Sequence, residues 1–165
     1  ESDLKGGASG AERARFEVAS AQDFPGDGFD LICIFDALHD MGDPLGAARH
    51  IRQALHEDGT WLLVEPMAGE TLEDNVTPVG RIFYAASTAI CTPSAQAQSG
   101  GYALGNQVPE AALAELAADA GFGRFRRAAE TPFNRVFEAR PFEDPTDIPL
   151  PEVREGMLEL APLLK

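Results

Sequence analysis

Two apolar stretches of strand length, FDLICIF at 29–35 and TWLLVEP at 60–66, bracket one well-signalled amphipathic helix. That order constrains the fold more than any other feature of the chain. A continuously apolar run of this length predicts a strand covered on both faces, as in a parallel sheet. Asp43 is a natural N-cap with Pro44 at the first helical position. Leu45, Ala48, Ile51 and Leu55 make the apolar stripe, and Gly59 follows as the stop. Strand, helix and strand with short connections then predict a right-handed βαβ unit.

The flanks extend this reading. RFEVAS at 15–20 has β-branched and aromatic character and predicts a short strand. AQDFPGDG supplies turn residues before FDLICIF. After the second strand the acidic loop AGETLEDN leads to PVGRIFYAASTAI, expected to be helical, and then to the small-residue loop CTPSAQAQSGGYALGNQ. An excursion of this length, residues 67–108, predicts a lid or substrate wall. Within it Phe83 and Tyr84 are placed either against an aromatic acceptor or in the core. Pro109 opens a further helix to Ala120, with Leu113, Leu116 and Ala117 inward and Gly121 at its end. GRFRRAAE and NRVFEARP predict two final strands. The expected organisation is a mobile segment over 1–14, a partial catalytic domain over 15–141, and a proline-rich linker with a C-terminal helix over 142–165.

The 165 residues suffice for one domain with a core. No run approaches the roughly 18 apolar residues of a membrane span. With 13 basic and 27 acidic residues, the net charge of −14 disfavours phosphate backbones and anionic lipid. Neither nucleic acid nor membrane is therefore expected as a partner. Cys33 and Cys91 form no disulfide or metal pattern, and His39, His50 and His56 lack zinc-site spacing. No metal is expected, and a reducing, cytoplasmic setting suits two unpatterned thiols.

The segment FDLICIFDALHDMGDP, 29–44, carries the chemistry. Its strand ends in Asp36, His39, Asp40 and Asp43, where ligands sit in open α/β sheets. From Arg15 to Pro141 the order and motifs resemble the class I S-adenosylmethionine-dependent methyltransferases. RFEVASAQDFPGDGFDLICIFDALHD is similar to the third strand, adenine loop and fourth strand of that family. GAARHIRQALHEDGTWLLVEP is similar to its next helix and fifth strand. HDMGDP resembles an element of small-molecule O-methyltransferases whose histidine is the catalytic base.

That resemblance implies an α/β fold with a Rossmann-like, doubly wound, mostly parallel sheet. It implies S-adenosylmethionine as cofactor, a small-molecule hydroxyl as acceptor, and a homodimer. His39 is then the general base and Glu65 the acidic residue that orients the base or the acceptor. Ser20, Ala21 and Gln22 fall at the adenine edge, Ser20 standing where relatives often hold Asp. The Phe35 carbonyl and Asp36 fall at the methionyl end. Asp40 and Asp43 are read as helix-entry residues.

The family's glycine-rich first turn and second-strand acidic residue have no counterpart in these residues; Gly6, Gly7 and Gly10 do not match. In the family's order the first two strands separate the third from the fourth, so RFEVAS would lack a neighbour. The sheet is therefore expected to be incomplete, the chain to be the C-terminal part of a longer polypeptide, and this part alone to be inactive. Two other readings stand beside the first. One is methyl transfer to nitrogen or carbon with His39 only lining the pocket, the other a non-catalytic module that keeps the fold for dimerisation or binding.

Overall fold

The computed structural model describes residues 14–141. The N-terminal segment through residue 13 and the C-terminal linker and helix, 142–165, lie outside the described residues. Four strands form one sheet in the order β1–β2–β4–β3. They are β1 (Phe29–Phe35), β2 (Leu55–Pro66), β3 (Arg124–Glu130) and β4 (Asn134–Arg140). The helices are α1 (Pro44–Ala54), α2 (Pro78–Ala86), α3 (Thr92–Gln96) and α4 (Glu110–Asp119), with a π-helical turn, Ser87–Cys91, joining α2 to α3.

The βαβ unit forms as the apolar pattern requires: β1 pairs parallel with β2, from Leu31 opposite Thr60 to Phe35 opposite Val64. Asp43 caps α1, its Oδ1 accepting the Gly46 amide at 2.8 Å. Ala48 and Ile51 are fully buried, as their stripe predicts. Leu55 corrects it. The helix ends at Ala54, and Leu55 turns extended to begin β2. Gly59 is thus not a helix stop. It lies in β2 where the register slips between Phe29 and Leu31, and a side chain there would meet the Phe29 carbonyl at 2.7 Å.

The other two pairings are antiparallel, β2 with β4 and β4 with β3. The short connection from Glu130 to Asn134 leaves room only for a hairpin, so the sheet is mixed among the described residues. RFEVAS forms no strand. Residues 15–20 belong to no regular element and are exposed, with Phe16 at 86% and Val18 at 107%. The reason is the one its position implies: among the described residues β1 is hydrogen-bonded on one edge only, to β2, and no strand lies beside 15–20 to complete a ladder.

The core occupies one face of the sheet. Trp61, Leu63, Phe137 and Ala139 alternate inward on β2 and β4, and Ile51, Leu113, Leu116 and Ala117 meet them from α1 and α4. Trp61 packs on Phe122 with ring centroids 5.2 Å apart. Burying a side chain of that size stabilises by about 2–3 kcal/mol. Gly121, at φ 95°, closes α4 in the left-handed region. On the opposite face Leu31 and Phe35 remain 54% and 63% exposed. Two-sided coverage of β1, the expectation from its apolar run, is therefore absent among the described residues.

Candidate active site

Beyond β1 the chain makes a sharp exit. Asp36 takes a positive φ of 47°, costly for a residue with a side chain. Its amide is held by the Val64 carbonyl at 2.8 Å, and its carboxylate accepts Asn134 Nδ2 at 2.8 and 3.0 Å. A 3₁₀ turn, Leu38–Asp40, follows at once and swings His39 over the end of β2.

There His39 meets Glu65. Nδ1 lies 2.6 Å from Glu65 Oε2, while Oε1 accepts the Leu38 amide at 3.1 Å. Both side chains are buried, at 4% and 1% exposure. With Glu65 as a carboxylate, Nδ1 carries the proton and Nε2 presents its lone pair. Burial alone would lower the imidazole pKa. Glu65, through its hydrogen bond and charge, joined by Asp40 and Asp36, outweighs burial and raises it above 6.5.

Asp40 Oδ1 stands 3.4 Å from Nε2, and Cys91 approaches from the π-helical turn. Donor atoms of His39, Asp40 and Cys91 all lie within 4.8 Å of one another. Burial, followed by the neighbouring Asp40 carboxylate, pushes the Cys91 thiol up to about 11. The 67–108 excursion closes on this loop: Gln98 Nε2 donates to the Asp40 carbonyl at 2.8 Å, and Gln98 Oε1 accepts the Gly42 amide at 3.1 Å. The Tyr102 amide donates to the Gly42 carbonyl at 3.0 Å. Phe83 and Tyr84 are half-buried rather than core.

The residues nominated for the cofactor divide. Ala21 and Phe35 line one groove of about 470 Å³ along β1, whose other walls include Phe24, Ala37 and Met41. Ser20 and Gln22 sit in an exposed turn, the Ser20 hydroxyl accepting the Gln22 amide at 3.2 Å. The Gln22 side chain donates to the Asp43 carbonyl at 3.3 Å, tying that turn to the start of α1. The Asp36 carboxylate is occupied by Asn134. Sequence reasoning missed Asn134, Gln98 and Cys91, which arrive from distant segments. It also missed Arg135, fully buried, with Nε on the Pro66 carbonyl at 3.0 Å and Nη2 on the Val108 carbonyl at 2.8 Å. Arg135 stands opposite Glu65 in the β2–β4 register and braces the strand end that carries it.

The parallel βαβ unit and the antiparallel final hairpin make a fold shared with solved methyltransferase structures. Among solved structures the chain is similar to human N-acetylserotonin methyltransferase in complex with SAM, with 19% identity and a TM-score of 0.57 over 80% of this chain. It is also similar to the mitomycin 7-O-methyltransferase MmcR, with 19% identity and a TM-score of 0.56 over 79%. In sequence it is 35% identical over 77 residues, 44% of this chain, to YcgJ of Bacillus subtilis, described as an uncharacterized methyltransferase. No family model matches the chain. The chain covers 30% of YcgJ in that alignment and 35% of each of the two structures, about a third of their length.

Proposed function

We propose that the protein to which this chain belongs transfers a methyl group from S-adenosylmethionine to a hydroxyl of a small molecule, with His39 as general base. The observation that carries this reading is the His39–Glu65 contact at 2.6 Å, which in the neutral ring favours the proton on Nδ1 and leaves Nε2 as the acceptor. S-adenosylmethionine supplies an electrophilic methyl on a sulfonium. The apolar walls at Ala21 and Phe24 suit its adenine ring, and the Phe35–Asp36 exit is assigned to its amino-acid end. Ser20 and Gln22 are assigned to the rim of that adenine site.

His39 Nε2 would take the proton of the acceptor hydroxyl as its oxygen receives the methyl group that the sulfonium of S-adenosylmethionine would supply. Glu65 holds the ring in the reactive tautomer and stabilises the imidazolium that forms. General-base assistance of this kind contributes about 10²–10⁴-fold. Segment 67–108, bonded through Gln98 and Tyr102 to the His39 loop, forms the acceptor wall. The protein acts as a homodimer in the cytoplasm on this reading. A second reading, transfer to nitrogen or carbon with His39 only lining the pocket, draws on the near-complete burial of the imidazole.

The test is transfer of labelled methyl from S-adenosylmethionine by the full-length protein to matched sets of small phenols, alcohols, amines and activated carbon acids. Label on oxygen supports the first reading. Label confined to nitrogen or carbon overturns it.

A further inference from the structure

We propose that His39, Asp40 and Cys91 form a binding site for a borderline-soft divalent cation of the zinc type. The hydrogen bond from Nδ1 to Glu65 fixes the ring and, in the neutral imidazole, leaves the lone pair on Nε2, beside Asp40. Asp40 Oδ1, 3.4 Å from that nitrogen, is itself buried and has no hydrogen-bond partner. A buried carboxylate oxygen without a hydrogen-bond partner thus faces the ring nitrogen, an arrangement that a positive charge beside them relieves.

The third corner is sulfur. One donor atom from each of the three residues lies within 4.8 Å of the others, and ligands of a tetrahedral zinc ion stand about 3.5 Å apart. A modest closure of the side chains therefore makes a nitrogen, oxygen and sulfur set with a fourth position open. Glu65 behind His39 supplies the carboxylate that orients a metal-bound imidazole and fixes its tautomer. Cys91 is delivered by a π-helical turn, a rare distortion that is frequent at functional sites.

Binding forms bonds from the metal to Nε2, to a carboxylate oxygen and to the thiolate, and releases the Cys91 proton to solvent. The cation occupies the atom that the proposed base uses, so a bound ion is a brake on methyl transfer. The site itself rests on the geometry and not on that catalytic role.

The experiment is a titration of the full-length protein with cobalt(II) alone, followed by absorption, and then displacement by zinc(II). One equivalent is expected to give the near-ultraviolet thiolate-to-cobalt band. Cys91→Ser abolishes the band, Cys33→Ser keeps it, and Glu65→Gln weakens binding about 10–100-fold. Asp40→Asn, at a half-exposed residue that leaves the fold undisturbed, weakens it at least tenfold. Absence of the band at one equivalent, its survival in Cys91→Ser, or undiminished affinity in Asp40→Asn overturns the site. Zinc binding with methyl transfer to oxygen unimpaired would instead overturn His39 as base and leave the site standing.

Discussion

Glu65 grips the His39 loop with both carboxylate oxygens, one on the imidazole Nδ1 at 2.6 Å and the other on the Leu38 amide at 3.1 Å. One residue at the end of β2 therefore sets both the tautomer of the ring and the path of the backbone that carries it.

Replacing Glu65 by Gln keeps the shape but removes the charge. With its largest raising partner gone, the His39 pKa falls, and the ring loses its fixed tautomer. Turnover is expected to fall by tenfold or more, and the rising limb of kcat against pH to move to lower pH. A pH–rate profile of the variant against the parent checks both.

The same raised pKa links folding to pH. The folded value lies above 6.5, so the ion pair's contribution is fully present below 6.5 and is lost as pH rises through the folded value. In Glu65→Gln that loss should be absent. Denaturant midpoints at pH 6 and at pH 8.5, parent against variant, read the difference.

Asp43 is assigned to the helix and not to the chemistry. Asp43→Ala leaves the Gly46 amide without its 2.8 Å acceptor and is expected to cost about 1 kcal/mol of stability. Thermal unfolding measures it. Asp43→Asn, which can still cap, should recover most of the loss.

Arg135 is a brace. Arg135→Ala leaves the Pro66 and Val108 carbonyls unpaired and opens a cavity beside Phe137, at an expected cost of about 2–4 kcal/mol. The strand end holding Glu65 should loosen with it. Amide hydrogen exchange across 62–67 is expected to quicken in this variant, and unchanged protection there would contradict the assignment.

Periodicity carried the βαβ unit because its signals are local: apolar runs, an Asp-Pro helix start and a following strand lie within forty residues or so of each other. RFEVAS misled because strand propensity describes a residue on a paired ladder, and nothing among the described residues pairs with it. Leu55 and Gly59 misled for a related reason. The demand of β1 for a parallel partner extends β2 backward and cuts the helix short. At the site, His39 and Glu65 were legible from the family's motif order. Cys91, Gln98 and Asn134 were not, because the chain folds back over long separations to bring them there.

The most direct measurement pairs turnover with binding in His39→Ala of the full-length protein. The account expects methyl transfer to oxygen to fall about 10²–10⁴-fold while S-adenosylmethionine affinity, read by calorimetry, stays within about twofold. Turnover equal to that of the parent, with the cofactor still bound, would contradict His39 as the base.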